Sequence, residues 1–400
     1  MKKIAKLSLV AAVAVVGFTS ANAQALEEAI KNVDVSGSVV YRYDDKSVKN
    51  DATSTDNNYK VALNLSSKVN DDVKFNSRFL AANSDMDERK NYGGFAGPGS
   101  TQSESDSNVD LTLSHAYFGY TGLANTTINA GKQGLTTPWT VAIDSDGAEQ
   151  TGTGVLAMTT VGPVTFAGAY FNQTNLDKSG DHVGTLNVLN QKSTNVGASD
   201  IATVGAIANL DFITLDAWYL DLSNVFDSYT VGAQANFDLA PVKLGVDTRY
   251  TSVNPDAAAM DNHEMAKIAL TAKAGIVSAK LAYAWTGKDG GFTAIDTDAN
   301  TTIQGWSVNA NNKTDADFWQ AVVGVDLLSN LNLSANYVSV DYVNGANDLK
   351  EEEIYAQLTY KMSQNLSSYA RFGTQEDKNK TLNTKTETDY KGRLQVEYTF

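Results

Sequence analysis

From Val33 to the last residue, apolar and polar side chains alternate with a period of two in one short run after another. Val33, Val35, Val39, Tyr41 and Tyr43 interleave with Asp34, Ser36, Ser38 and Arg42, and Tyr59, Val61, Leu63 and Leu65 with Lys60, Ala62, Asn64 and Ser66. Successive side chains of a strand point to opposite faces, so each run predicts a β-strand with one apolar face. The pattern returns at Val242/Leu244/Val246/Tyr250, at Leu281/Tyr283/Trp285, at Trp319/Ala321/Val323 and at Leu331/Leu333/Tyr337. No stretch in the chain approaches the roughly 20 apolar residues that a transmembrane helix needs.

The connectors alternate as well. Short turns at 70–72, 122–125, 162–163, 238–241, 328–330 and 362–365 interleave with long polar insertions at 44–57, 83–107, 134–153, 173–200, 287–317 and 375–388. One tight rim and one decorated rim, joined by about 18 strands, predict an all-β fold: a transmembrane antiparallel β-barrel with short periplasmic turns and long external loops. A β-sandwich does not need strands so evenly long, and no 40-residue motif repeats as in a propeller.

The polar faces carry Arg42, Lys60, Lys74, Arg78, Lys243, Asp247, Arg249, Arg371 and Arg393. Unpaired charges in a dry interior would cost several kcal/mol each, so this face is expected to line water and the apolar face to meet lipid. Apolar residues make up 42% of the chain, so no large conventional core is expected. At the C-terminus Tyr390, Leu394, Val396, Tyr398 and Phe400 share one face and the chain stops on phenylalanine. Such a strand suits closure against the first strand, and Tyr398 and Phe400 resemble the signal read by the barrel-assembly machinery.

Lys2, Lys3 and Lys6, the apolar run Leu7 to Phe18 and Ala21-Asn22-Ala23 read as a signal peptide over residues 1–23, leaving 24–400 as one barrel domain. Its three lysines leave with it, so the net charge of −15 would become −18. That balance argues against nucleic acid, whose binders cluster Lys and Arg. The absence of cysteine excludes disulfides, thiolate metal sites and cysteine nucleophiles.

Most of the chain resembles the major outer membrane porins of Campylobacter and related epsilonproteobacteria, and three segments do so most closely. They are Leu26 to Gly37 followed by Tyr41-Arg42-Tyr43-Asp44, then Ala130-Gly131-Lys132-Gln133 with Trp139-Thr140, Ala142-Ile143-Asp144 and Gly152-Thr153-Gly154-Val155, and finally Arg393-Leu394-Gln395 to Phe400. The resemblance implies a bacterial outer-membrane barrel of 18 strands, a homotrimer, that passes ions and small hydrophilic solutes with a weak preference for cations. It also implies that the third external loop, 134–153, folds inward. There Asp144, Asp146 and Glu149 would face Arg42 and Arg78 across a constriction of opposed charge. Asp144 matches a residue associated with calcium in those porins, and Asp144-Ser145-Asp146-Gly147 with Glu149 offers hard oxygen ligands, though without a complete EF-hand loop.

Catalysis finds little support. His115, His182 and His263 are the only histidines, and none sits in H-E-x-x-H spacing. Ser114 and His115 are adjacent, and adjacent strand residues point to opposite faces. Leu111 and Leu113 imply one register, Ala116 and Phe118 the other, so a β-bulge is expected near Ser114. A substrate-specific channel, with an inward aromatic slide for which Phe171 and Trp218 are candidates, and an adhesin or structural barrel with a plugged interior are the alternatives to a diffusion porin.

Overall fold

The computed structural model describes residues 33–49, 53–82, 110–179, 181–189, 195–257, 260–386 and 388–400. The expected signal peptide and the 83–107 insertion lie outside them. One antiparallel sheet contains β1 (Val33–Val48), β2 (Thr53–Lys68), β3 (Val73–Ala82), β4 (Asp110–Tyr120), β5 (Thr126–Gly134), β6 (Thr151–Val161), β7 (Val164–Thr174), β8 (Ile201–Leu210), β9 (Ile213–Leu222), β10 (Phe226–Leu239), β11 (Val242–Pro255), β12 (His263–Ala274), β13 (Val277–Thr286), β14 (Thr314–Leu328), β15 (Leu331–Asn344), β16 (Asn347–Lys361), β17 (Leu366–Asn379), β18 (Thr384–Lys385) and β19 (Asp389–Thr399). β18 is a two-residue ladder on the rim end of β17. The other eighteen strands form the wall, each paired with its neighbours in sequence, and β19 closes it by pairing with both β17 and β1.

Closure runs to the final residue. Phe400 and Gly37 exchange both backbone hydrogen bonds at 3.0 Å. A Cβ on Gly37 would stand 2.7 Å from the Phe400 ring, so the glycine is what lets that ring lie across the seam.

The two faces separate as the alternation predicts. Leu270, Leu281, Trp319, Val323, Leu333 and Ile354 lie exposed on the outer face, where hydrocarbon would meet them. Arg42, Lys60, Arg78, Arg249, Gln320 and Asn336 turn inward and are buried. The expected bulge is present: Arg78 pairs with His115 and Phe79 with Leu113, leaving Ser114 as the extra residue. Leu111, Leu113 and Phe118 thereby all reach the outer face, and Ser114 and His115 both turn inward. Adjacency therefore does not separate that pair, contrary to simple alternation.

Two expected loops are strand. β1 and β2 stay paired through Asp44↔Asp56 to Ser47↔Thr53, and β17 continues to Asn379, so 44–57 and 375–388 are largely rim extensions of the wall. A 16-residue strand spans about 50 Å, roughly twice the apolar band of an outer-membrane barrel. Above that band both faces meet water, so the alternation fades while the ladder continues.

The interior also holds more apolar packing than the composition suggested. Leu135 and Trp139 from the β5–β6 loop, Leu176, Leu186 and Leu189 from the β7–β8 loop, and Phe292 and Ile295 from the β13–β14 loop pack with Phe171, Leu220, Leu222 and Phe226 of the wall. A second cluster joins Ile303, Val308 and Ala310 to Met265, Phe318, Val338 and Val340. The polar face is wet only where these loops leave it uncovered.

Val246 sits opposite Leu270 on the outer face, whereas Asp247 lines open lumenal space with Gln234, Lys267 and Lys280. Val246→Arg is expected to cost about 2–4 kcal/mol near the midplane and to reduce the heat-modifiable folded fraction on gels, and Asp247→Asn to fold normally. Equal folding of the two variants would contradict this register.

Candidate functional site

The site is built around the loop 135–150. Leu135 N–H donates to the Gln150 carbonyl at 2.8 Å and closes the base of the loop. Fully buried Trp139 fixes its far side, with the indole N–H donating to Ser228 Oγ of β10 at 2.8 Å. Backbone bonds from Ile295 N to Trp139 O at 2.9 Å and from Thr301 N to Pro138 O at 3.0 Å join it to the β13–β14 loop.

Glu149 is the deepest anchor. It is fully buried, and its carboxylate accepts from Arg78 Nη2 and Nε at 2.8 and 3.0 Å, from Lys60 Nζ at 2.8 Å and from Ser114 Oγ at 2.6 Å. Burial pushes its pKa up, but Arg78 and Lys60 outweigh that and hold it below the usual carboxylate range. The bulge at Ser114 supplies the last donor, so a local irregularity of β4 completes the clamp. Among the described residues His115 Nε2 has no hydrogen-bond partner, and the Ser114 hydroxyl is committed to Glu149, so the two do not form a nucleophile and base.

The three acids of the loop occupy three different settings. Glu149 is sealed against the wall and does not project into open lumen, because two cations and a hydroxyl reach it from β2, β3 and β4. Asp146 stands at the tip with its side chain 68% exposed, 3.1 Å from both Arg42 and Arg393. Arg42 Nη2 also donates to Ser145 O at 2.9 Å, and Lys60 Nζ to Gly147 O at 2.6 Å. Asp144 is half-buried, with Oδ1 accepting from Ala148 N–H at 2.8 Å. Burial, followed by repulsion from Asp146, Asp181 and Asp298, pushes it up to about 7. Asp296 lies fully buried close by, pushed up to about 8 by burial and then by Asp181 and Asp144, and its Oδ2 has no hydrogen-bond partner among the described residues.

The remaining inward charges form two groups. Arg393 Nε binds Asp44 at 2.6 Å beside the loop tip, and Arg371 follows one strand away. Across the barrel Arg249 holds Asp216 at 2.7 Å, and Asp247 accepts from Gln234 at 3.2 Å. Lys74 and Lys243 are exposed near the tight rim, Lys243 lying 3.4 Å from Asp238. The sequence pattern gives no site role to Asp44, Asp216, Trp306 or Glu353. Asp44 looked like the start of a loop, and Trp306 lies in an insertion with no repeated pattern. Phe171 and Trp218 do face inward, but they pack with the loop cluster and form no open slide.

A closed barrel with a charged inner face suits a diffusion channel. The sequence matches the Campylobacter major outer membrane protein family over residues 1–400. The chain belongs to that family. It is an outer-membrane porin, a passive channel for small hydrophilic solutes. No curated protein matches the sequence significantly. Among solved structures the barrel is similar to OccAB3 of Acinetobacter baumannii, at 13% identity and a TM-score of 0.74 over 92% of this chain and 99% of that one. OpdQ of Pseudomonas aeruginosa gives 17% and 0.73 over 92% and 99%, and OccK2 (OpdF) of the same organism, in complex with glucuronate, gives 13% and 0.72 over 92% and 98%. At such identities the likeness establishes the fold alone.

Glu149→Gln is expected to leave Arg78 and Lys60 without their counter-charge, costing about 3–5 kcal/mol and loosening the loop of this porin. Open-channel current noise should rise and the urea midpoint should fall. Wild-type noise and stability would show that the clamp does not hold the loop.

Proposed function

We propose that the passage at the tip of loop 135–150 is the constriction of the channel and that it favours cations weakly. The observation that carries this is Asp146, the exposed carboxylate at the tip, set against a chain whose net charge is −15. Arg42 and Arg393 oppose it, which keeps the preference modest. Fixed charges act over about 10 Å at 0.1 M salt, a distance comparable to a pore radius, so the preference should shrink as salt rises. The same reading takes the protein as exported by its 1–23 signal peptide, folded by the barrel-assembly machinery through its terminal Phe400, embedded in lipid as a homotrimer, and without catalytic activity. The family resemblance supports the trimer, and the exposed apolar belt supports the lipid.

Asp144→Asn and Glu149→Gln would each disturb the loop, so Asp146 is the residue to neutralise. In a KCl gradient Asp146→Asn should shift the reversal potential toward anions by more than neutralising both Glu376 and Asp377 of the outer rim. Equal shifts would place the constriction elsewhere.

Calcium is proposed at Asp144. The chemistry fits a hard cation, since Asp144 and Asp296 repel each other and Asp296 Oδ2 is buried without a partner. Among the described residues no three acidic or imidazole side chains already converge on one point, so binding would draw the carboxylates together. Both groups hold their protons more tightly in the folded state than in the unfolded one. Without calcium, the contribution of these two groups to stability is therefore full below about pH 4 and is lost as pH rises toward 7–8. Added calcium should raise the unfolding midpoint at pH 8 in the wild type and do so much less in Asp144→Asn; an equal response in both would remove the assignment.

A further inference from the structure

Among the described residues every arginine but one is paired with a carboxylate: Arg42 with Asp146, Arg78 with Glu149, Arg249 with Asp216, and Arg393 with Asp44 and Asp146. The exception is Arg371, half-buried on the lumenal row of β17. Its Nε donates to Gln357 Oε1 at 2.7 Å, and neither Nη atom has a hydrogen-bond partner among the described residues. In register it lies between Gln357 of β16 and Arg393 of β19, so one neighbour is neutral and the other carries the same charge. Like charges directly opposite in a sheet are destabilising, and Arg393 is already committed to Asp44 and Asp146.

Three rings hold this guanidinium in place. The centroids of Trp306, Tyr355 and Tyr369 lie 4.9, 5.2 and 5.3 Å from it. Trp306 comes from the β13–β14 loop, and Glu353 secures it there by accepting from the backbone N–H groups of Trp306 and Ser307 at 2.7 and 2.8 Å. Both Glu353 oxygens thus accept from that loop, and among the described residues Glu353 acts on Arg371 through space without a salt bridge to it. The ring of Trp306 meets Tyr355 edge-on at 5.7 Å, so the rings form a supported platform.

We propose that Arg371 and its three rings form a subsite for a solute carboxylate attached to a planar ring. The two free Nη groups present the fork that binds a carboxylate in a bidentate manner, and the apolar ring edges around it suit the body of the solute. The subsite coexists with a weak cation preference, because small ions respond to the summed potential and the fork acts at contact distance. The solute class deepens the channel reading above and rests on it.

The test is single-channel recording in KCl with benzoate, acetate or benzyl alcohol added to one side, each block scored against the same channel's own open level. Benzoate should interrupt the wild-type current at a half-blocking concentration at least tenfold lower than acetate or benzyl alcohol. Arg371→Gln should raise the benzoate value at least tenfold, Arg371→Lys should fall between, and Trp306→Leu should raise it about fivefold while leaving acetate unchanged. Ion current with no benzoate preference, or an unchanged benzoate value in Arg371→Gln and Trp306→Leu, overturns the subsite and leaves the channel standing. Absence of any ion current in the folded wild type overturns both.

Discussion

In hydrocarbon a backbone N–H or C=O has no water to turn to, so a sheet that crosses a membrane must have no edge. The closure of β1 on β19 is therefore the constraint from which the rest of the molecule follows. It carries through to the last backbone group of the chain, where Phe400 bonds Gly37. Once the ring is closed, alternation leaves no choice about the side chains: one set meets lipid and the other meets whatever fills the barrel.

Eighteen strands enclose more space than wall side chains can fill. The chain answers with three loops that pack a dry cluster around Trp139, Phe226 and Phe292 and leave a charged strip along β1, β19, β17 and β16. Loop 135–150 makes both contacts. Its Trp139 side is held by burial and its Glu149 side by ion pairs, which presents Asp146 to the strip. Position is thus set by buried groups, and exposed groups remain available to solutes.

The wall was legible in the sequence because lipid and water impose a two-residue period. The bulge was legible too, since Leu113 and Ala116 demand incompatible registers unless Ser114 is extra. Rim residues such as Asp44 were not, because above the bilayer both faces are wet and the period vanishes. Nor could the three acids of the loop be told apart. What sets Glu149 apart from Asp146 is what reaches it, and Arg78 and Lys60 lie 71 and 89 residues away in sequence. Trp306 escaped notice for the same reason, its partner Glu353 being 47 residues further on.

The chain contains no cysteine, so single thiols can be placed along one strand without background. Cysteines at 354, 355, 356, 357 and 358 of β16, probed with a charged water-soluble thiol reagent during bilayer recording, test the wet lumen and the lipid-facing wall together. Modification at 355 and 357 should be rapid and should step the current down, while 354, 356 and 358 remain unreactive through the open pore. Reactivity without alternation, or modification at 355 and 357 that leaves the current unchanged, would contradict a water-filled channel bounded by this face of the strand.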